Sequence, residues 1–113
     1  MNLRITINLD QDLPPPITEH SLSQLMQQHL SLWPQGARCA TQERDGEVLF
    51  WNASINKVRQ ARIEATPKRG LMPLIGLRYQ VDATYFEDDN EATLLANDWQ
   101  CSVVTLEEFV TAR

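Results

Sequence analysis

Ala37-Arg38-Cys39-Ala40-Thr41-Gln42-Glu43-Arg44-Asp45-Gly46-Glu47-Val48-Leu49-Phe50-Trp51-Asn52 carries a chain-reversal signal at its centre. Asp-Gly favours a hairpin because both residue types accept positive φ, which lets two strands fold back on each other. Residues 37–43 and 47–52 therefore read as paired strands flanking Arg44-Asp45-Gly46. Val48, Leu49, Phe50 and Trp51 are apolar on both faces of such a strand, as a central strand with covered faces requires. The hairpin is expected inside a sheet, and the remaining segments must supply its neighbours and its cover.

Upstream, Ser21 followed by Gln24 at the third position makes a capping box. Leu22, Leu25, Met26, His29, Leu30 and Trp33 then fall on one helical stripe, so the main helix is expected from Leu22 to Trp33, ended by Pro34 and Gly36. His29 is the titratable member of that stripe; its expected place is the edge, with water or a backbone carbonyl as partner, the alternative being a neutral imidazole that donates to a ligand. Leu3-Arg4-Ile5-Thr6-Ile7-Asn8-Leu9 alternates apolar and polar and predicts a strand. Pro14-Pro15-Pro16 is an extended spacer.

Downstream, residues 54–65 fit two templates. Ile55, Val58, Arg62 and Ala65 lie on one helix face, whereas Ala61, Ile63 and Ala65 lie on one strand face; the reading leans to a strand over residues 60–65. Thr66-Pro67-Lys68-Arg69-Gly70 is a basic loop suited to a solvent turn or a phosphate contact, without P-loop spacing. Residues 74–78 and 79–85 read as extended, with Leu77, Tyr79, Val81, Ala83 and Tyr85 on one face and a bulge at Gly76. Thr105 and Glu108 make a second capping box, launching a terminal helix that buries Leu106, Phe109 and Val110. The fold class is α+β: a mostly antiparallel sheet of about five strands, covered on one face by the main helix, with a short C-terminal helix.

Within one domain of 113 residues, 42% hydrophobic, the core is small enough that oligomerisation would help it. No apolar run approaches the ~20 residues of a membrane span, and Met1-Asn2-Leu3-Arg4 leads into a strand and not a signal peptide, which implies a cytoplasmic protein with no membrane partner. Cys39 and Cys101 form no redox motif and are expected as buried free thiols; with His20 and His29 they build no zinc site. The net charge of −5 argues against a generic nucleic-acid binder. It is unevenly placed: residues 53–80 form a basic island (Lys57, Arg59, Arg62, Lys68, Arg69, Arg78), which is either a solvated face or a phosphate seat, and residues 81–113 are strongly acidic.

Leu94-Leu95-Ala96-Asn97-Asp98-Trp99-Gln100-Cys101-Ser102-Val103-Val104 reads as the end of a helical or turn-like run, a reversal at Asn97-Asp98, and a strand from Trp99 through Val104. Such a Trp is a core anchor and such an Asp a cap for backbone N–H groups; alternatively, the pair suits a stacked base and a bonded ribose hydroxyl. Leu94-Leu95-Ala96-x-Asp98-Trp99 followed by Val103-Val104 resembles the C-terminal signature of the Thoeris anti-defence 2-like family of small phage proteins. The helix with Leu22, Leu25 and Met26, then Gly36, Arg38 and Trp51, takes the places of that family's upstream features. The family's Trp-x-Pro-Ser-x-x-Asp lead-in is replaced by Tyr85-Phe86-Glu87-Asp88-Asp89-Asn90-Glu91, and its Arg-x-x-Trp spacing after the glycine is not kept.

The resemblance implies a homo-oligomer in a host cytoplasm that sequesters a cyclic nucleotide or cyclic ADP-ribose-like signal. Trp99 or Trp51 would stack on the base, Asp98 would hold a ribose hydroxyl, and Arg38 a phosphate. The residues themselves show no nucleophile elbow, helical His pair or Gly-rich nucleotide loop, so no enzyme activity, metal or cofactor is expected. The competing expectation is an acidic inhibitor whose C-terminal third contacts a host nucleic-acid-binding defence protein as a decoy.

Overall fold

The Asp45-Gly46 turn closes the hairpin it signals. A computed structural model describes residues 14–66 and 69–113. Strands β1 (Cys39–Gln42) and β2 (Val48–Trp51) pair antiparallel with Cys39 opposite Trp51 and Gln42 opposite Val48. The turn is wider than two residues: Glu43 N–H donates to the Glu47 carbonyl at 2.8 Å and Gly46 N–H to the Glu43 carbonyl at 2.9 Å. Gly46 alone takes the left-handed backbone, at φ +96°, while the Asp45 carboxylate accepts the Glu47 N–H at 3.0 Å.

β2 is central, as its two apolar faces require. Strand β3 (Gln80–Thr84) flanks β2, and strand β4 (Val104–Thr105) flanks β1, giving the order β3-β2-β1-β4 with every pair antiparallel. The architecture is α+β with four strands among the described residues; the strand expected over residues 3–9 lies outside them.

Helix α1 (Leu22–His29) forms where the capping box places it, with both reciprocal bonds of Ser21 and Gln24 present. Leu22, Leu25 and Met26 are fully buried against Ala40, Val48 and Phe50. The helix is shorter than expected, because Leu30 turns extended and Pro34 disfavours helical backbone at Trp33. Released from the helix, Trp33 donates its indole N–H to the Ala37 carbonyl at 2.8 Å and packs edge-on against Phe50. His29 is exposed, as an edge position implies, and stacks on Phe86.

Residues 55–64 are helix, not strand. Helix α2 (Ile55–Glu64) is capped by the Ser54 hydroxyl, which accepts the Lys57 N–H at 3.2 Å. A strand would have turned Ile63 inward with Ala61, but Ile63 is 77% exposed while Val58, Ala61 and Arg62 are buried. α2 covers the second face of the sheet, where Cys39, Leu49 and Trp51 meet Val58, Ala61, Leu71 and Ile75. The sheet is therefore covered on both faces, and not only by α1.

The segment expected to be extended over residues 74–79 is instead a helical turn, α3 (Met72–Ile75), and a 3-10 turn (Leu77–Tyr79) separated by Gly76 at φ +111°. Pro73 lies in the first turn of α3, where a missing N–H costs nothing. The ladder irregularity falls in β2 between Phe50 and Trp51 and not at Gly76. Helix α4 (Leu106–Thr111) has both bonds of its capping box, but of its expected core trio only Phe109 is buried; Leu106 and Val110 are exposed. Leu95 is buried in an isolated parallel bridge with Ile17. Residues 97–101 are turn, so the strand expected from Trp99 is reduced to Val104–Thr105.

Candidate functional site

Three of the four residues singled out for ligand contact serve the fold. Asp98 Oδ1 accepts the Leu22 N–H at 2.8 Å, which satisfies a free donor at the start of α1 and places a carboxylate at its positive end. Trp51 is fully buried on the α2 face, its indole N–H bonded to Thr41 Oγ1 at 2.9 Å. Trp99 is 6% exposed and belongs to the cluster on the α1 face. The two indoles lie on opposite sides of the sheet, and neither offers an open ring face for a base. Arg38, immediately before β1, is the exposed member of the set.

Arg38 opens onto a concavity of about 480 Å³ between α2 and the β4–α4 corner. The first turns of α2 contribute Ser54, Ile55, Asn56 and Arg59; the corner contributes Thr105, Glu107 and Glu108. Arg38 is held there by its own backbone, which bonds on both sides: its N–H to the Trp51 carbonyl at 2.7 Å, and its carbonyl to the Leu106 N–H at 3.0 Å. Glu108 is committed to the capping box, accepting the Thr105 N–H at 2.8 Å and the Thr105 hydroxyl at 3.1 Å. Two guanidinium groups thus share the hollow with the exposed Glu107 carboxylate, a set that fits a ligand bearing both an anion and hydroxyl donors.

Arg59 also lines a second bay, of about 320 Å³, with Arg62, Ile63, Cys101 and Val103. Arg62 is 4% exposed. Its Nη1 donates to the carbonyls of Gln42 at 2.9 Å and Trp99 at 3.2 Å, its Nε has no partner, and its guanidinium lies over the Trp99 ring at 5.8 Å. Burial lowers its pKa from the usual arginine value, and Glu43 partly restores it; the Glu43 carboxylate itself accepts the Leu71 N–H at 2.9 Å. The helical template for residues 55–65 places Arg62 on the apolar face, a signal passed over by the strand reading of residues 60–65 and by the grouping of Arg62 with the basic island. Nothing in the sequence ties Arg59 to Arg38, which meet only because α2 packs across the sheet.

The basic island is therefore not one surface. Arg62 is core, Arg59 faces the two hollows, and Lys57 and Arg78 flank Tyr79, with Lys57 Nζ 4.3 Å from the ring centre and Arg78 Nη2 donating to the phenol oxygen at 2.9 Å. That hydrogen bond, then the two positive charges, lowers the Tyr79 pKa. Cys39 is buried as expected, and burial pushes its thiol up to about 11, whereas Cys101 is exposed, because the strand that would have enclosed it is a turn. Among the described residues no group of His, Cys, Asp and Glu is arranged to hold a metal ion, and no helix is long and apolar enough to cross a membrane. No protein-family model, curated protein or solved structure matches this chain.

Proposed function

We propose that this chain is a non-enzymatic binder that sequesters a small phosphate-bearing molecule of the nucleotide class, held between α2 and the β4–α4 corner. The observation that carries this reading is the convergence of Arg38 and Arg59 on a concavity of about 480 Å³ whose lining includes the start of α2. Phosphate would meet the two guanidinium groups. Glu107 takes the hydroxyl-accepting role first read into Asp98, whose carboxylate is engaged at α1. Sequestration needs affinity and abundance alone. The anti-defence setting, a phage-encoded protein trapping a cyclic nucleotide or cyclic ADP-ribose-like signal in the host cytoplasm, is supported by the resemblance at Leu94-Leu95-Ala96-x-Asp98-Trp99, as is assembly into a two-fold homo-oligomer.

The test is calorimetry against a panel of cyclic dinucleotides, cyclic trinucleotides and cyclic ADP-ribose isomers. Micromolar binding is expected for one class, weakened about tenfold or more by Arg38→Gln or Arg59→Gln, since a charged hydrogen bond is worth about 1.5–3 kcal/mol. If no ligand binds tighter than about 1 mM, this reading fails. The second reading, an acidic inhibitor that contacts a basic host defence protein, is favoured by one feature: Glu87, Asp88, Asp89 and Glu91 are all exposed on the loop closed by the Glu87–Thr93 bridge.

A further inference from the structure

The bay beyond Arg59 contains the chain's accessible thiol. Cys39 is buried, so Cys101 alone meets solvent. Its position is fixed by a bonded turn: the N–H groups of Cys101 and Ser102 donate to the Asp98 carbonyl at 3.0 and 2.9 Å, and Sγ lies 3.6 Å from the same oxygen. Arg62 braces the turn through the Trp99 carbonyl. The bay's volume of about 320 Å³ is that of a small-molecule site, and its charge comes from Arg59 and Arg62. Arg62 directs its hydrogen bonds to carbonyls, with the Glu43 carboxylate acting on it only through space, and its Nε has no partner although the residue is 4% exposed. A thiol fixed in a bay with two guanidinium groups on its lining is matched to a reagent that brings its own carboxylates.

We propose that Cys101 is a site of reversible S-thiolation by an anionic low-molecular-weight disulfide of the glutathione class, recruited through Arg59 and Arg62. The Cys101 thiolate attacks one sulfur of the disulfide, the S–S bond breaks, and the departing half leaves as a thiolate that takes up the proton Cys101 released. Cys101 is oxidised and the departing half reduced, so the incoming disulfide is the only oxidant. Ile63 and Val103 give the bound half an apolar wall, and Arg59 meets a carboxylate at the mouth. This site requires no nucleotide and stands apart from the ligand reading above.

The test compares two disulfides on the full chain: oxidised glutathione, which is anionic, and 2-hydroxyethyl disulfide, which is neutral. Adduct formation is followed by mass spectrometry and located by peptide mapping. The ratio of the two rates is expected to be roughly three- to tenfold higher for the folded protein than for the same protein unfolded in urea, as one or two nearby unit charges imply. The ratio should fall towards the unfolded value in about 0.5 M salt, where charge is screened within a few ångströms. Arg59→Gln and Ile63→Glu, both at exposed positions of α2, should lower it without unfolding the chain, and Cys101→Ser should carry no adduct. A native ratio equal to the unfolded one, a ratio unchanged in both α2 variants, or an adduct on Cys39 would overturn the assignment.

Discussion

Asp98 Oδ1 accepts the main-chain N–H of Leu22 at 2.8 Å, joining the 97–101 turn to the first residue of α1. The bond spans most of the chain and closes the α1 side of the core, where Leu22 and Trp99 share one cluster. Asp98→Ala is expected to lower unfolding free energy by about 1–2 kcal/mol, as loss of a helix cap does. Asp98→Asn keeps an acceptor and should cost less than half of that. Urea denaturation of the two variants measures the difference, and equal losses would show that the charge, and not the cap, is what matters.

Arg62 is expected to be the chain's costliest single truncation among its basic residues. Arg62→Ala leaves the buried carbonyls of Gln42 and Trp99 without their donor, at about 1–3 kcal/mol for each group so exposed to burial. Arg62→Met fills the volume and removes a desolvated charge, so part of the loss returns. A thermal melt in which Met is no better than Ala would mean that hydrogen bonding outweighs packing and desolvation at this site.

Cys39 makes stability fall in alkali. Burial raises its folded pKa to about 11 from 9.0, so between those values the unfolded chain ionises the thiol and the folded chain does not. The unfolded state gains, and stability declines from pH 9 to pH 11 by roughly 2–3 kcal/mol. Cys39→Ala should flatten that decline relative to the parent chain, measured by urea denaturation across the range.

Asp82 lies on β3, which among the described residues is an edge of the sheet. Among the described residues β3 has a partner on one side, and the Asp82 carboxylate accepts the N–H of its neighbour Ala83 at 2.8 Å, so that donor is already satisfied. Val81 and Tyr85, both partly exposed, flank it. Asp82→Val removes the charge and frees the donor, and self-association through β3 should follow. Light scattering of the variant at tens of micromolar is the readout; a monodisperse variant of unchanged size would show that the edge is protected by other means.

Three local elements were legible from local signals, whereas the turns at residues 72–79, equally local, were not. The hairpin follows from Asp45-Gly46, helix α1 from the Ser21 and Gln24 box, and helix α4 from the Thr105 and Glu108 box, because each rests on hydrogen bonds made within a few residues. The two apolar faces of residues 48–51 likewise announced a central strand. Residues 55–64 were ambiguous because their apolar positions fit both periods. What settles them is the empty face of the sheet over Cys39, Leu49 and Trp51, which α2 covers.

Site geometry belonged to the tertiary structure. Asp98 and Trp99 are adjacent in sequence, yet one faces the start of α1 and the other the core, because a helix far upstream offers an unpaired N–H and an apolar cluster to join. Arg38, Arg59 and Arg62 come from a strand approach and a helix, and only the packing of α2 across the sheet sets them along neighbouring hollows. The chain's sequence determined which groups are cations, caps and core; which of them share a site depended on contacts between segments that no local spacing encodes.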